Sequence, residues 1–208
     1  GERGANPLQW AYQVSPHIDI NEMRNYWEPG QEGLVQRTQY NGSYNNPFFL
    51  AYEVNNSFVR DRVYGNIKAD WQISRDFSLM LRYGMDNINE KRQTTIANGY
   101  TEDPRGAFGI NNIANFEGNA EFLLNYKKSL GDFTVSVSAG GNNRSQNGSS
   151  NRSATKNGTG LIVPGVFTLE NILPSNLEYG SYSYKKGVNS LYGFATVGYK
   201  DMVYLDIS

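Results

Sequence analysis

The sequence predicts an all-β fold, an antiparallel up-and-down transmembrane β-barrel segment of about six strands with short periplasmic turns and long extracellular loops, part of a larger barrel. Three observations predict it. Val63 to Asp86 alternates apolar and polar residues on both sides of a short turn; the connections between such stretches are short and long in turn; and aromatic residues flank the short turns on one face.

Composition narrows the function classes. Hydrophobic residues make up 38% of the 208 and mean hydropathy is -0.59, while aromatics reach 13%. Aliphatic content is low for a thick core, and amphipathic rings are abundant. A net charge of -1 carries none of the basic excess that nucleic-acid binding needs. Without cysteine there is no thiolate metal site, disulfide scaffold or cysteine nucleophile, and no cofactor or metal is expected. No apolar run reaches the ~18 residues of a transmembrane helix, which leaves membrane-crossing strands open. The start, "GERGANPLQW", reads as the middle of something, and the end, "MVYLDIS", stops inside an alternating pattern, so a fragment of a longer chain is expected.

Residues 1–58, rich in Asn, Tyr, Pro and Gly and without a sustained period, are expected to form an extracellular loop region. One short helix is predicted in "DINEMRNYW", with Asp19 as cap, Glu22 three residues on and Pro29-Gly30 after its end. Residues 59–208 are expected to form the partial barrel. In the first strand Val63, Gly65, Ile67, Ala69, Trp71 and Ile73 share one face, opposite Arg62, Tyr64, Asn66, Lys68, Asp70 and Gln72. After Ser74-Arg75-Asp76 the second places Phe77, Leu79, Leu81, Tyr83 and Met85 opposite Ser78, Met80, Arg82, Gly84 and Asp86. The third sets Phe116, Gly118, Ala120, Phe122, Leu124 and Tyr126 against Glu117, Asn119, Glu121 and Asn125; the fourth sets Phe133, Val135, Val137 and Ala139 against Thr134, Ser136 and Ser138. A fifth runs through Leu191 to Tyr199, its orientation blurred by Tyr192 and Phe194 on the other face, and a sixth starts at Val203.

The connections sort themselves: short after Ile73, Tyr126 and Tyr199, long over 87–115 and 140–187. Outer-membrane barrels distribute their turns and loops in this way, and apolar stripes of roughly 9–11 residues match a tilted crossing strand. Trp71, Phe77, Tyr126, Phe133 and Tyr199 lie beside the short turns on the apolar face, where an interfacial girdle would sit, although aromatics also suit strands that cap a sandwich core.

Catalytic patterns are weak. His17 is the single histidine and no Gly-x-Ser-x-Gly elbow accompanies it; Asp86, Glu90, Glu117 and Glu121 could supply carboxylate pairs, but no spacing singles one out. The chain is not expected to be an enzyme. Arg60, Arg62, Lys68, Arg82, Asp86, Glu117 and Glu121 are read as facing a lumen or plug, or else as a solvated face. Sugar rings stack on aromatic faces, so Trp27, Tyr40, Tyr44, Phe48, Phe49 and Tyr52 are the candidates for contacting substrate or a lid protein, with loop packing as the competing role.

The segments "NNPFFLAYEVNNSFVRDRVYGNIKADWQIS", "VPGVFTLEN" and "SLYGFATVGYKDMVYLDIS" resemble the starch-utilisation-type (SusC/RagA-like) TonB-linked outer-membrane transporters of Bacteroidetes. The most specific parts are Asn46-Pro47 leading into Tyr52-Glu53, Arg60-Asp61-Arg62 through Gly65-Asn66, and Tyr192-Gly193-Phe194 through Tyr199-Lys200-Asp201 to Leu205-Asp206. The resemblance implies a barrel around a plug domain, import of glycans or peptides, a SusD-like surface lipoprotein lid, energy relayed by the TonB complex through regions outside these residues, and outer-membrane lipid around the strands. It implies no catalytic residues. A soluble carbohydrate-binding β-sandwich module is the alternative, and a secreted β-rich hydrolase a third reading.

Overall fold

The computed structural model describes residues 6–38, 45–200 and 202–208. Six strands form one antiparallel sheet in the order β1-β2-β3-β4-β5-β6, each beside its neighbour in sequence: β1 Val54–Gln72, β2 Phe77–Ile96, β3 Ala107–Leu130, β4 Phe133–Thr155, β5 Leu177–Tyr199 and β6 Val203–Ile207. The first two are locked in register at both ends, Ile73 N–H donating to Phe77 O at 3.0 Å and Ala97 N–H to Glu53 O at 3.1 Å. β5 pairs with β6 from Ala195 opposite Ile207 to Tyr199 opposite Val203.

All six strands expected from sequence are present, but β1 to β5 are longer than expected, at 19, 20, 24, 23 and 23 residues. Much of the expected loops 87–115 and 140–187 is strand, and the long connections are 97–106 and 156–176. The physical reason is visible in β4. Beyond Gly141 both faces are polar, Asn142, Arg144 and Gln146 on one and Asn143, Ser145 and Asn147 on the other, so the ladder continues where the hydrophobic contrast stops. Short connections remain at 73–76 and 131–132; Gly131, at φ +62°, supplies the left-handed residue of the latter turn.

Residues 1–58 also differ from a loop. Helix α1 spans Pro7–Gln13, α2 spans Pro47–Glu53, and β1 already begins at Val54. Asn46 caps α2: its side chain accepts from Phe48 N–H at 2.9 Å, and Pro47 occupies the first turn, where a missing N–H costs nothing. The helix expected in "DINEMRNYW" is reduced to a 3-10 turn over Glu22–Arg24, with the Asp19 carboxylate accepting from Asn21 N–H at 2.8 Å. Trp27 bridges to Gln36 directly afterwards, and that extended pairing stops a longer helix.

The chain divides into two compact units. The first contains residues 1–60, 90–113 and 150–182 and has two apolar clusters. Phe49, Leu50, Ile96, Tyr100 and Ala107 pack with Tyr26 and Trp27, while Phe108, Leu161 and Ile172 pack with Phe167 and Leu177. Beside the first cluster, Gln36 Nε2 donates to Asn45 Oδ1 and to Gly99 O, both at 2.6 Å, Asn45 Oδ1 accepts from Thr101 N–H at 2.9 Å, and Asn46 Nδ2 donates to Met23 O at 3.0 Å. These buried amides find partners, as buried polar groups must. Burial and the Glu53 carboxylate, which accepts the Tyr26 hydroxyl at 2.9 Å, hold that phenol's pKa above its ordinary value.

The second unit contains residues 61–89, 114–149 and 183–208, and its organisation is inverted. Its buried residues, among those described, are glycines: Gly118, Gly140, Gly141, Gly148 and Gly198. Large apolar side chains are instead outside. Val63, Ile67, Trp71, Leu81, Phe122, Phe133 and Leu191 share the apolar face and are all exposed, Ile67 by 72% and Leu191 by 87%. Phe77 and Tyr126 pair at 4.8 Å between centroids and Phe133 and Tyr199 at 4.9 Å, which joins four of the five predicted aromatic-row residues in cross-strand pairs.

Phe49 is fully buried while Tyr52 on the same helix is 59% exposed. Phe49→Ala is expected to cost about 3–5 kcal/mol and to speed limited proteolysis of the 45–108 region in the parent protein, whereas Tyr52→Ala leaves the cleavage rate unchanged.

Candidate functional site

The polar face of the second unit is organised by ion pairs between adjacent strands, each made possible by strict alternation. Arg62 of β1 grips Asp86 of β2 through Nε–H to Oδ1 at 2.9 Å and an Nη2 hydrogen to Oδ2 at 2.6 Å. Arg82 of β2 donates to Glu121 of β3. Arg144 of β4 donates to both oxygens of Glu117 of β3, at 2.8 and 2.9 Å, and Gln146 adds a bond at 2.6 Å. Two-pronged pairing of this kind fixes direction as well as charge. Lys68 pairs along its own strand with Asp70 at 3.0 Å, and both are exposed. Arg62, Tyr64, Asn66, Arg82, Asp86 and Glu117 are among the residues that border a concavity of about 330 Å³.

Glu121 has a second partner from further away. Tyr192 of β5 donates its hydroxyl to Oε1 at 2.7 Å, reaching over β4. Gly140 makes this possible, because a Cβ there would stand 2.5 Å from Tyr192 Cε2 and 2.8 Å from Phe122 O. The same arrangement recurs higher in the strands, where the Tyr184 ring lies against Gly148 and its hydroxyl is 3.5 Å from Asn115 Oδ1. A bare backbone thus lets a ring lie flat across a strand and bond to the strand beyond it. Tyr192 and Phe194, which blurred the orientation of β5, stack at 5.8 Å.

In the first unit Arg60 donates to Glu90 at 2.5 Å, and Arg92 also donates to that carboxylate. The arginine and carboxylate candidates Arg60, Arg62, Arg82, Asp86, Glu117 and Glu121 therefore each have a cross-strand partner. Of the partners, Arg92, Arg144 and Tyr192 went unpredicted. Arg92 and Arg144 stand in stretches read as loop, and only their period-2 spacing from Glu90 and Asn142 could have revealed them. Every carboxylate considered for glycoside hydrolysis is engaged by an arginine. His17 is exposed, its Nδ1 2.8 Å from Ser15 Oγ two residues away.

The aromatic candidates separate. Phe49 is core, which removes its ring from any contact surface. Trp27 stands edge-on to Phe49 at 5.4 Å, half-buried; the Arg24 guanidinium lies 5.3 Å over the Phe48 ring; Tyr52 stacks on Tyr26 at 6.0 Å and is exposed. Tyr40 and Tyr44 lie outside the described residues.

Gly140→Ala is expected to displace the Tyr192 ring and lower the thermal midpoint of the parent protein by more than Tyr192→Phe, which removes only one charge-assisted hydrogen bond, worth about 1.5–3 kcal/mol. The reverse order would show that the ring does not depend on the glycine.

No protein-family model matches this chain, and no curated protein sequence matches it. Solved structures do. A chain in the structure of the RagAB peptide importer in the closed-closed state aligns with 83% of this chain at a TM-score of 0.71 and 15% identity; the open-open state aligns with 86% at 0.66 and 15%, and a further RagAB peptide transporter structure with 83% at 0.64 and 15%. This chain spans about one fifth of the length of those chains. The resemblance read from the sequence is met at the level of fold: the six-stranded antiparallel sheet has the fold of a segment of a chain in the RagAB peptide-importer structures.

Proposed function

We propose that this chain is a segment of a TonB-dependent importer in the bacterial outer membrane, taking up peptides or oligosaccharides with a surface lipoprotein as lid. The observation that carries the reading is the second unit, which exposes a continuous apolar face and, among the described residues, buries only glycines. In water such a face is a large unpaid hydrophobic exposure, whereas in a bilayer it is the surface that meets lipid. The likeness in fold to RagAB peptide-importer structures supports the same reading and favours peptides over glycans. The ion-paired face then looks into the lumen toward a plug, residues 97–106 and 156–176 are outer loops, and residues 73–76 and 131–132 are periplasmic turns. Selectivity arises from loops, plug and lid, and transport follows plug rearrangement driven by the TonB complex; no catalysis and no nucleic acid are involved. Of the described aromatic candidates, Tyr52 is the ring best presented to substrate or lid.

Cysteine placed at Leu79, Val135 or Ala195 of the parent protein is expected to react with lipid-phase probes and not with water-soluble ones. Labelling from water, or cooperative folding of these 208 residues without detergent, would favour the soluble sandwich.

A further inference from the structure

In the first unit, the faces of β1 and β2 that carry Arg60 and Glu90 enclose a concavity of about 410 Å³, bordered by Asn56, Phe58, Arg60, Glu90, Arg92 and Thr94. Its charges do not balance. Glu90 is the sole acid among the bordering residues and faces two arginines. Its side chain is only 4% exposed, while those of Arg60 and Arg92 are 49% and 59% exposed. The carboxylate is thus sealed beneath the two guanidinium groups that it holds, and one full positive charge is presented outward.

The two groups are also held in place. Arg60 spends Nε and Nη2 on Glu90 and lies over the Phe58 ring at 5.7 Å. Arg92 spends Nε on the other oxygen and, among the described residues, keeps both Nη groups for another acceptor. Asn56 accepts the Thr94 hydroxyl at 2.7 Å, which leaves its amide hydrogens for the same purpose. Guanidinium edges fixed by a buried counter-ion match the planar or tetrahedral oxygens of an acid group, and little side-chain entropy remains to be lost on binding.

We propose that Arg60 and Arg92, positioned by Glu90, form a receptor for an oxyanion group of a ligand, a carboxylate or a sulfate. The proposal rests on the importer reading, in which this concavity opens on the path of the ligand.

The intact parent protein in detergent at low salt is titrated by calorimetry with acetyl-dialanine and its amide, and with glucose 6-sulfate and glucose. The charged member of at least one pair is expected to bind about ten-fold more tightly than its neutral counterpart, the pair identifying the acid. Arg92→Gln should abolish that preference and Arg92→Lys retain part of it, since lysine keeps the charge without the fork. Arg60 still covers Glu90 in these variants, and unchanged heat-modifiable migration on gels verifies the fold. Equal affinities within both pairs, no binding of either charged probe, or a preference that survives Arg92→Gln overturns the proposal. Uptake of neutral ligands that still depends on TonB would leave the importer reading standing if the receptor fails.

Discussion

The second unit depends on one constraint: its apolar face has no partner among the described residues. A sheet normally buries one face against another layer, and here the residues withdrawn from solvent are the glycines over which neighbouring rings lie. Hydrophobic burial within the chain therefore contributes little to that unit. What remains is the backbone ladder, closed across five strand-to-strand seams, and the side-chain bonds across the polar face. The Arg62–Asp86, Arg82–Glu121 and Arg144–Glu117 pairs all cross a seam. Exposed pairs of this sort add little in bulk water, but a half-enclosed polar surface screens them less.

The first unit solves the same problem conventionally. Its two apolar clusters use the ends of β2 and β3, the helix before β1 and the segment before β5, so each piece of irregular chain is tied to strand residues by a few rings and aliphatic groups. The amides of Gln36, Asn45 and Asn46 complete the attachment by accepting and donating where backbone would otherwise be left unpaired. Gly99 is required there, since at φ +88° a Cβ would come within 2.8 Å of Gln36 N.

Sequence reading succeeded where the two faces of a strand differ in polarity and failed where they do not. Val63 to Met85 displayed its strands because Ile67 and Leu81 contrast with Lys68 and Arg82. Asn142 to Asn151 offers no such contrast, and a strand with two polar faces has the composition of a loop. The same blindness hid Arg144 and Arg92, and with them the partners of Glu117 and Glu90. Helix α2 carried a readable signal in Asn46-Pro47, a cap followed by a residue suited to the first turn, which the abundance of Asn and Pro around it obscured. Whether a ring is core or surface could not be read at all: Phe48 and Phe49 are neighbours in sequence, and only helix phase buries one.

The tyrosines that lie over glycines have a consequence for how the strands find each other. Tyr192 sits over Gly140 and Tyr184 over Gly148, eight positions apart on both strands. If β5 slid by two residues against β4, each ring would meet Ser138 or Asn142, Gln146 or Ser150, and be lifted off by a side chain. Polar strands rich in Asn and Ser are weakly specified in alignment, because many offsets satisfy the backbone equally well. The two bare positions act as a key with two teeth, which turns only at the native offset and selects it during assembly without any apolar core to guide the choice.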